Sequence, residues 1–90
     1  MTDVDGLVKA LKQHPEKVLR ISGHTDASGS EGYNQRLSLF RANMIKSFFL
    51  GKGLAPRQLK VTAFGSDRPV ASNDTARGRS LNRRVELDIE

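Results

Sequence analysis

The chain has no cysteine and no tryptophan, and only one tyrosine and three prolines in 90 residues. Without cysteine there are no disulfide staples and no thiolate metal sites, and the composition suits oxidising and reducing compartments alike. No apolar run approaches the roughly 20 residues that cross a bilayer as a helix. The opening Met1-Thr2-Asp3-Val4-Asp5 is acidic and lacks the apolar stretch of a secretory signal. The formal net charge of +5 would suit an anionic partner such as nucleic acid, a lipid headgroup or a cell-wall polymer. Scarcity of aromatics weighs against the first, because single-stranded nucleic acids are usually gripped by stacking on aromatic rings.

A chain of this length makes one domain, residues 1–90, with a thin core that hides roughly 60–65% of its unfolded surface. Hydrophobic residues at 37% and charged residues at 28% are ordinary for a globular domain. The basic charge is local: Arg77, Arg79, Arg83 and Arg84 crowd together, and the acidic stretch Glu86-Leu87-Asp88-Ile89-Glu90 follows.

Val4, Leu7, Val8 and Leu11 recur at helical spacing, with Thr2 or Asp3 as N-cap and Pro15 beyond the end. Residues 17–23 read as a strand closed by Gly23. A polar loop, 25–32, leads to a long helix over 33–50, with Ser30 or Asn34 near its start and Gly51 and Gly53 as stops. Pro56 opens a turn before a second strand at 60–65. Residues 66–82 read as mostly irregular, with a helical turn at 75–81. Residues 84–89 alternate apolar and charged, which predicts a half-buried strand with Val85, Leu87 and Ile89 on the core side. The α-β-α-β-loop-β order predicts an α/β sandwich: a small sheet with helices on one face and its first two strands parallel.

On a helical wheel Leu37, Met44, Ile45 and Phe48 form a stripe with Arg41 in its middle. A guanidinium there must snorkel, pair with a carboxylate or meet a ligand. Asp26 stands at the mouth of the first strand, where α/β sheets bind ligands, and the loop after it feeds a helix N-terminus that favours anions. Two opposite charges so placed suit a ligand bearing both an amine and a carboxylate. His24 and Asp26 share a strand face, yet only His14 could join them as a metal ligand, so no metal or cofactor is expected and His24 reads as a packed structural histidine. Nor is there a nucleophile elbow. Asn73-Asp74-Thr75 reads as turn chemistry and Gly78 as a tight bend.

Four motifs in order carry a family resemblance: Gly23-His24-Thr25-Asp26 with Gly29; Asn34, Leu37-Ser38 and Arg41-Ala42; Gly65 with Pro69 and Asn73; and Gly78-Arg79 followed by Asn82-Arg83-Arg84-Val85-Glu86. Together, over about 18–89, they resemble the OmpA-like C-terminal domain, the family of OmpA, Pal and MotB. The resemblance implies an OmpA-like α/β sandwich that binds peptidoglycan noncovalently and is not an enzyme. It implies that Asp26 takes the ammonium and Arg41 the carboxylate at the side-chain end of diaminopimelate in the stem peptide. Thr25, Asn34, Leu37 and Arg83 would line the same groove, and Arg79 and Arg84 would either join them or hold the last strand. Backbone N–H groups after Asp26 could share the carboxylate. Periplasmic placement within an outer-membrane or inner-membrane-anchored envelope protein follows from the same likeness.

Relatives of this kind open with a strand and a fuller first helix, whereas this sequence begins inside that helix. The expectation is a sheet lacking its first strand, with lowered stability or pairing of two copies as a homodimer through the exposed edge. A basic nucleic-acid-binding domain and a hydrolase of the same polymer are the competing functions. The hydrolase is disfavoured because an arginine near Asp26 would hold it ionised and make it a poor general acid.

Overall fold

The apolar spacing of the first residues produces a helix, and the strand formers behind it produce a sheet, within residues 4–90 that the computed structural model describes. The elements are α1 (Val4–Gln13), β1 (Leu19–His24), α2 (Glu31–Gly51), a 3-10 turn (Pro56–Gln58), β2 (Leu59–Ala63), α3 (Ala76–Asn82) and β3 (Arg84–Ile89). The third strand begins and ends where its alternation predicts. The long helix starts earlier than its apolar residues suggest, because Ser30 caps it by accepting a hydrogen bond from the Tyr33 N–H. The expected caps of α1, Thr2 and Asp3, lie outside the described residues.

The sheet order is β2-β1-β3. β1 runs parallel to β2, with Leu19 opposite Leu59 and Gly23 opposite Ala63, and antiparallel to β3, with Ile21 opposite Leu87 and His24 opposite Arg84. The parallel pair needs a crossover, and α2 supplies it. Val8 and Leu11 of α1, Ala42 and Phe49 of α2, Leu54, and the sheet residues Leu19, Ile21 and Leu59 form the core. Each large side chain buried there contributes roughly 1.5–3 kcal/mol. The opposite sheet face carries Arg20, Ser22, His24, Arg84, Glu86 and Asp88, which border an open groove.

Two expectations are corrected here. Leu37, Met44, Ile45 and Phe48 are not the buried stripe of α2; its buried residues are Asn34, Ser38, Ala42 and Phe49. Met44 and Phe48 are 57% and 46% exposed. The cause is the close approach of α2 to β1: a Cβ on Gly23 would stand 2.1 Å from the Ser38 carbonyl oxygen. Only small side chains fit under such a contact, so the large apolar ones are turned aside and Arg41 sits half-buried on the flank. Likewise Leu87 and Ile89 face the core side of the sheet but remain largely exposed, because α2 packs mainly over β1 and β2. Only Val85 of that strand packs against the core.

Candidate functional site

The loop leaving β1 is held from several sides. The Thr25 N–H donates to the Gly65 carbonyl at 2.8 Å, and the Thr25 hydroxyl donates to the Asp26 carbonyl at 2.9 Å. The Ala27 N–H donates to Asn73 Oδ1 at 3.1 Å. Asn73 thus reaches across to this loop, instead of making only the local turn its sequence context suggests. Its Oδ1 also accepts from Asn82 Nδ2 at 2.9 Å. Asn82 is fully buried, and its Oδ1 accepts from the Val70 and Ala71 N–H groups.

This network fixes the residue that follows Asn82. Arg83 Nη1 lies 2.6 Å from Asp26 Oδ2, while Asp26 Oδ1 accepts from the Ser28 N–H at 2.8 Å. Asp26 is 7% exposed. The Arg83 guanidinium and the Ser28 N–H hold its carboxyl below the usual carboxylate range, against the opposing effect of burial. Asp26 is therefore charged at neutral pH. The arginine paired with it is Arg83.

Arg41 has no ion-pair or hydrogen-bond partner among the described residues. It lines an open groove of about 400 Å³ with Met44, Ile45, Arg83, Arg84 and Val85. Arg41 and Arg83 thus border an apolar floor of Met44, Ile45 and Val85. Arg84 is already committed to Glu86 at 2.6 Å and to the Arg68 and Asn82 carbonyls. Arg79 donates to the Asn73 carbonyl. Both therefore hold the chain together, the second of the two roles open to them. Leu37 stands half-buried one turn before Arg41, and buried Asn34 two turns before it; neither lines the groove. The Asn34 side-chain amide has no protein partner among the described residues.

Gly78 does not mark a bend. It lies inside α3, where a Cβ would stand 1.8 Å from the Ser72 carbonyl oxygen. Thr75 caps that helix by accepting from the Gly78 N–H. Replacing Asn82 by Ala would leave the Val70 and Ala71 N–H groups and the Asn73 side chain without the partner that Asn82 supplies. The expected cost is about 2 kcal/mol, read as a lowered midpoint in urea. An unchanged midpoint would show that the network adds nothing.

His24 is packed as expected, with its ring stacked on Phe64 at 5.2 Å, but it is not hydrogen-bonded. Both ring nitrogens are buried without a partner, and Glu86 Oε1 lies 3.6 Å from Nε2. Burial, then the charges of Arg84 and Arg68, lower its pKa from 6.5 despite Glu86. Among the described residues no three His, Asp or Glu side chains are grouped to hold a metal ion.

The pH dependence of stability follows. His24, Asp26 and Glu86 all have folded pKa values below their unfolded ones, so the unfolded chain binds more protons between those values and stability rises with pH there. The His24 contribution is complete above 6.5 and is lost as pH falls through its lower folded value. The carboxylate contributions are complete above 3.8 and 4.5 and are lost below. Thermal melts from pH 8 to pH 3 should show two stages of loss, and His24→Gln should remove the upper one. A midpoint that rises on acidification would contradict the assignment.

The sequence profile of the OmpA family matches residues 1–83. The chain belongs to the OmpA family. Outer membrane porin F of Pseudomonas fluorescens is 41% identical over 88 residues, which cover 98% of this chain and 27% of the porin. The peptidoglycan-binding protein ArfA of Mycobacterium tuberculosis is 42% identical over 79 residues, 88% of this chain and 24% of that protein. The chain therefore spans about a quarter of the length of these curated relatives. Among solved structures, the peptidoglycan-associated lipoprotein from Burkholderia pseudomallei superposes with a TM-score of 0.90 at 28% identity, over 94% of this chain and 72% of that one. The C-terminal domain of Helicobacter pylori MotB gives 0.82 at 25% identity, over 100% and 75%. The small mixed sheet with helices is thus an OmpA-like α/β fold, as the four motifs imply.

Proposed function

We propose that this OmpA-family domain binds peptidoglycan noncovalently and anchors an envelope protein to the cell wall in the periplasm. The observation that carries the reading is a buried carboxylate, Asp26, linked through Arg83 to an apolar groove that the unpartnered Arg41 also lines. The distal end of diaminopimelate is a zwitterion on a methylene chain. Asp26 receives its ammonium, Arg41 and Arg83 its carboxylate, and Met44, Ile45 and Val85 pack against its methylenes. Thr25 keeps the Asp26 loop in place, while Asn34 and Leu37 border the path of the rest of the stem peptide. Arginine and carboxylate can pair bidentately, which adds orientation to attraction.

Well-formed contacts to charged groups contribute roughly 1.5–3 kcal/mol each, so a single site supports affinity on the order of millimolar to micromolar. Repetition along the polymer raises the effective concentration. The domain acts by binding and not by catalysis, because a carboxyl held ionised by Arg83 is a poor general acid. The likeness to the mycobacterial peptidoglycan-binding protein and to the Burkholderia peptidoglycan-associated lipoprotein supports the same reading.

Co-sedimentation with purified sacculi tests it. Retention on diaminopimelate-type but not lysine-type material, lost in Arg41→Ala, is the expected result. Failure of the folded protein to sediment with either would overturn the proposal.

The outer edge of β3 has no strand partner among the described residues, and Leu87 and Ile89 beside it are exposed. We propose that two copies pair there, since free strand edges invite pairing. Light scattering should show a dimer that Leu87→Lys disperses; a monomer at every concentration would exclude it.

A further inference from the structure

We infer that the outer face of the sheet is a second binding site, for an uncharged saccharide chain, and that this chain is the glycan strand of the polymer. Naming the polymer rests on the reading above; the saccharide site itself does not.

Strand alternation builds this face. Arg20, Ser22 and His24 of β1 point away from the helices, and so do Glu86 and Asp88 of β3. They border a groove of about 560 Å³. At the His24 end Phe64 stacks on the imidazole and carries the Arg68 guanidinium 4.1 Å from its centroid.

The polar groups of this groove are unspent. Buried polar atoms are nearly always hydrogen-bonded, and an exception calls for a water or a ligand. Three such atoms lie here: Arg20 Nε and both ring nitrogens of His24, which is 2% exposed. The Ser22 hydroxyl, the Asp88 carboxylate and the N–H edges of Arg68 also have no hydrogen-bond partner among the described residues. From Arg20 to His24 these groups span four residues of strand, roughly 13 Å. That is more than a single small ion can occupy.

The charge pattern sets the ligand class. Arg20 is paired with Glu90, and Arg84 with Glu86. The uncommitted charges are one of each sign, Arg68 and Asp88, so an ion of either sign would meet its like. Burial lowers the His24 pKa from 6.5, and at neutral pH the ring offers one N–H and one lone pair. A hydroxyl answers both. Glu86 stands 3.6 Å from Nε2 with its side chain 52% exposed, and it can turn to admit one. Donors and acceptors spread along an elongated groove without net charge suit sugar hydroxyls and amides, and Leu87 in the lining suits an acetamido methyl.

The two grooves of the domain meet. Arg84 lines this one and the groove of Arg41. A stem peptide in one and its glycan in the other can therefore belong to one molecule.

The test is an amide NMR titration of the whole domain with the β-1,4-linked tetramer of N-acetylglucosamine, which carries no stem peptide. Shifts should appear at Arg20, Ser22, His24, Arg68 and Asp88, with a dissociation constant on the order of millimolar. Peptide-free glycan strands should compete for the site. Arg68→Ala and Asp88→Ala, both at exposed positions, should each weaken the tetramer about tenfold. Neither should change the melting temperature or the binding of a diaminopimelate tripeptide. Inorganic phosphate should shift these residues less than the sugar does. No shifts on this face, shifts at Thr25 and Asp26 instead, or an equal response to phosphate would overturn the inference. Glycan strands that fail to compete would overturn the assignment to the polymer. Tripeptide binding without tetramer binding leaves the peptidoglycan reading standing, and the reverse result would sink that reading while the saccharide site remains.

Discussion

Asp26→Asn should abolish retention on diaminopimelate-type peptidoglycan, with single-site affinity lowered about ten- to a hundredfold. The amide is nearly isosteric and can still accept from the Ser28 N–H that Oδ1 now serves. What it lacks is the charge that a ligand ammonium needs. The fold should survive, because the lost ion pair runs to an arginine with a 44% exposed side chain. Pairs so open to solvent are worth at most about 1 kcal/mol, so the melting temperature should move by no more than about 8 °C. Sedimentation and a thermal melt on the same sample separate the two effects. Retained binding by a folded Asp26→Asn protein would remove Asp26 from the site.

Gly23→Ala should strongly destabilise the domain. The added Cβ would meet the Ser38 carbonyl oxygen at 2.1 Å and the Ala42 Cβ at 3.3 Å. The first contact is with helix backbone, so no rotamer change relieves it, and α2 must move away from β1. Such overpacking costs about 3 kcal/mol, or roughly 12–24 °C in a domain of this size. The damage would also reach function, since β1 positions Thr25 and Asp26 and α2 positions Arg41. Gly51→Ala is the control: it lies at the end of α2 with nothing within 4 Å of its Cβ, and it should be neutral or stabilising by up to about 1 kcal/mol. Equal melting temperatures for the two variants would contradict the close-packing argument.

The elements of this fold were legible because each has its own periodicity. Val4 to Leu11 repeats as a helix, and 84–89 alternates as a strand; both appear where their patterns place them. The packing of α2 was not legible in the same way. A hydrophobic wheel weights Met44 and Phe48, whereas the structure buries Ser38 and Ala42 against Gly23. The signal was present as small residues one turn apart on the helix facing a glycine at a strand end, and hydropathy does not register it.

The site was legible in part for a related reason. Asp26 and Arg41 stand out because charge appears where a core pattern is expected. That Arg83 is the group resting on Asp26 depends on the Asn73–Asn82–Ala27 network, which joins segments far apart in sequence. No local pattern announces such a network. Asn73 and Asn82 stood out as members of the family motifs, but nothing local showed that their side chains bond across the fold instead of to their own turns.

The central claim is that Asp26 and Arg41 act as two halves of one zwitterion site. Its most direct measurement is an amide and side-chain NMR titration with a tripeptide ending in diaminopimelate. The account predicts shifts concentrated at Thr25, Asp26 and Ser28 and at the Arg41 and Arg83 side chains, all fitting one dissociation constant. Shifts confined to the opposite sheet face, at Ser22, His24 and Arg68, or no shifts at all, would contradict it.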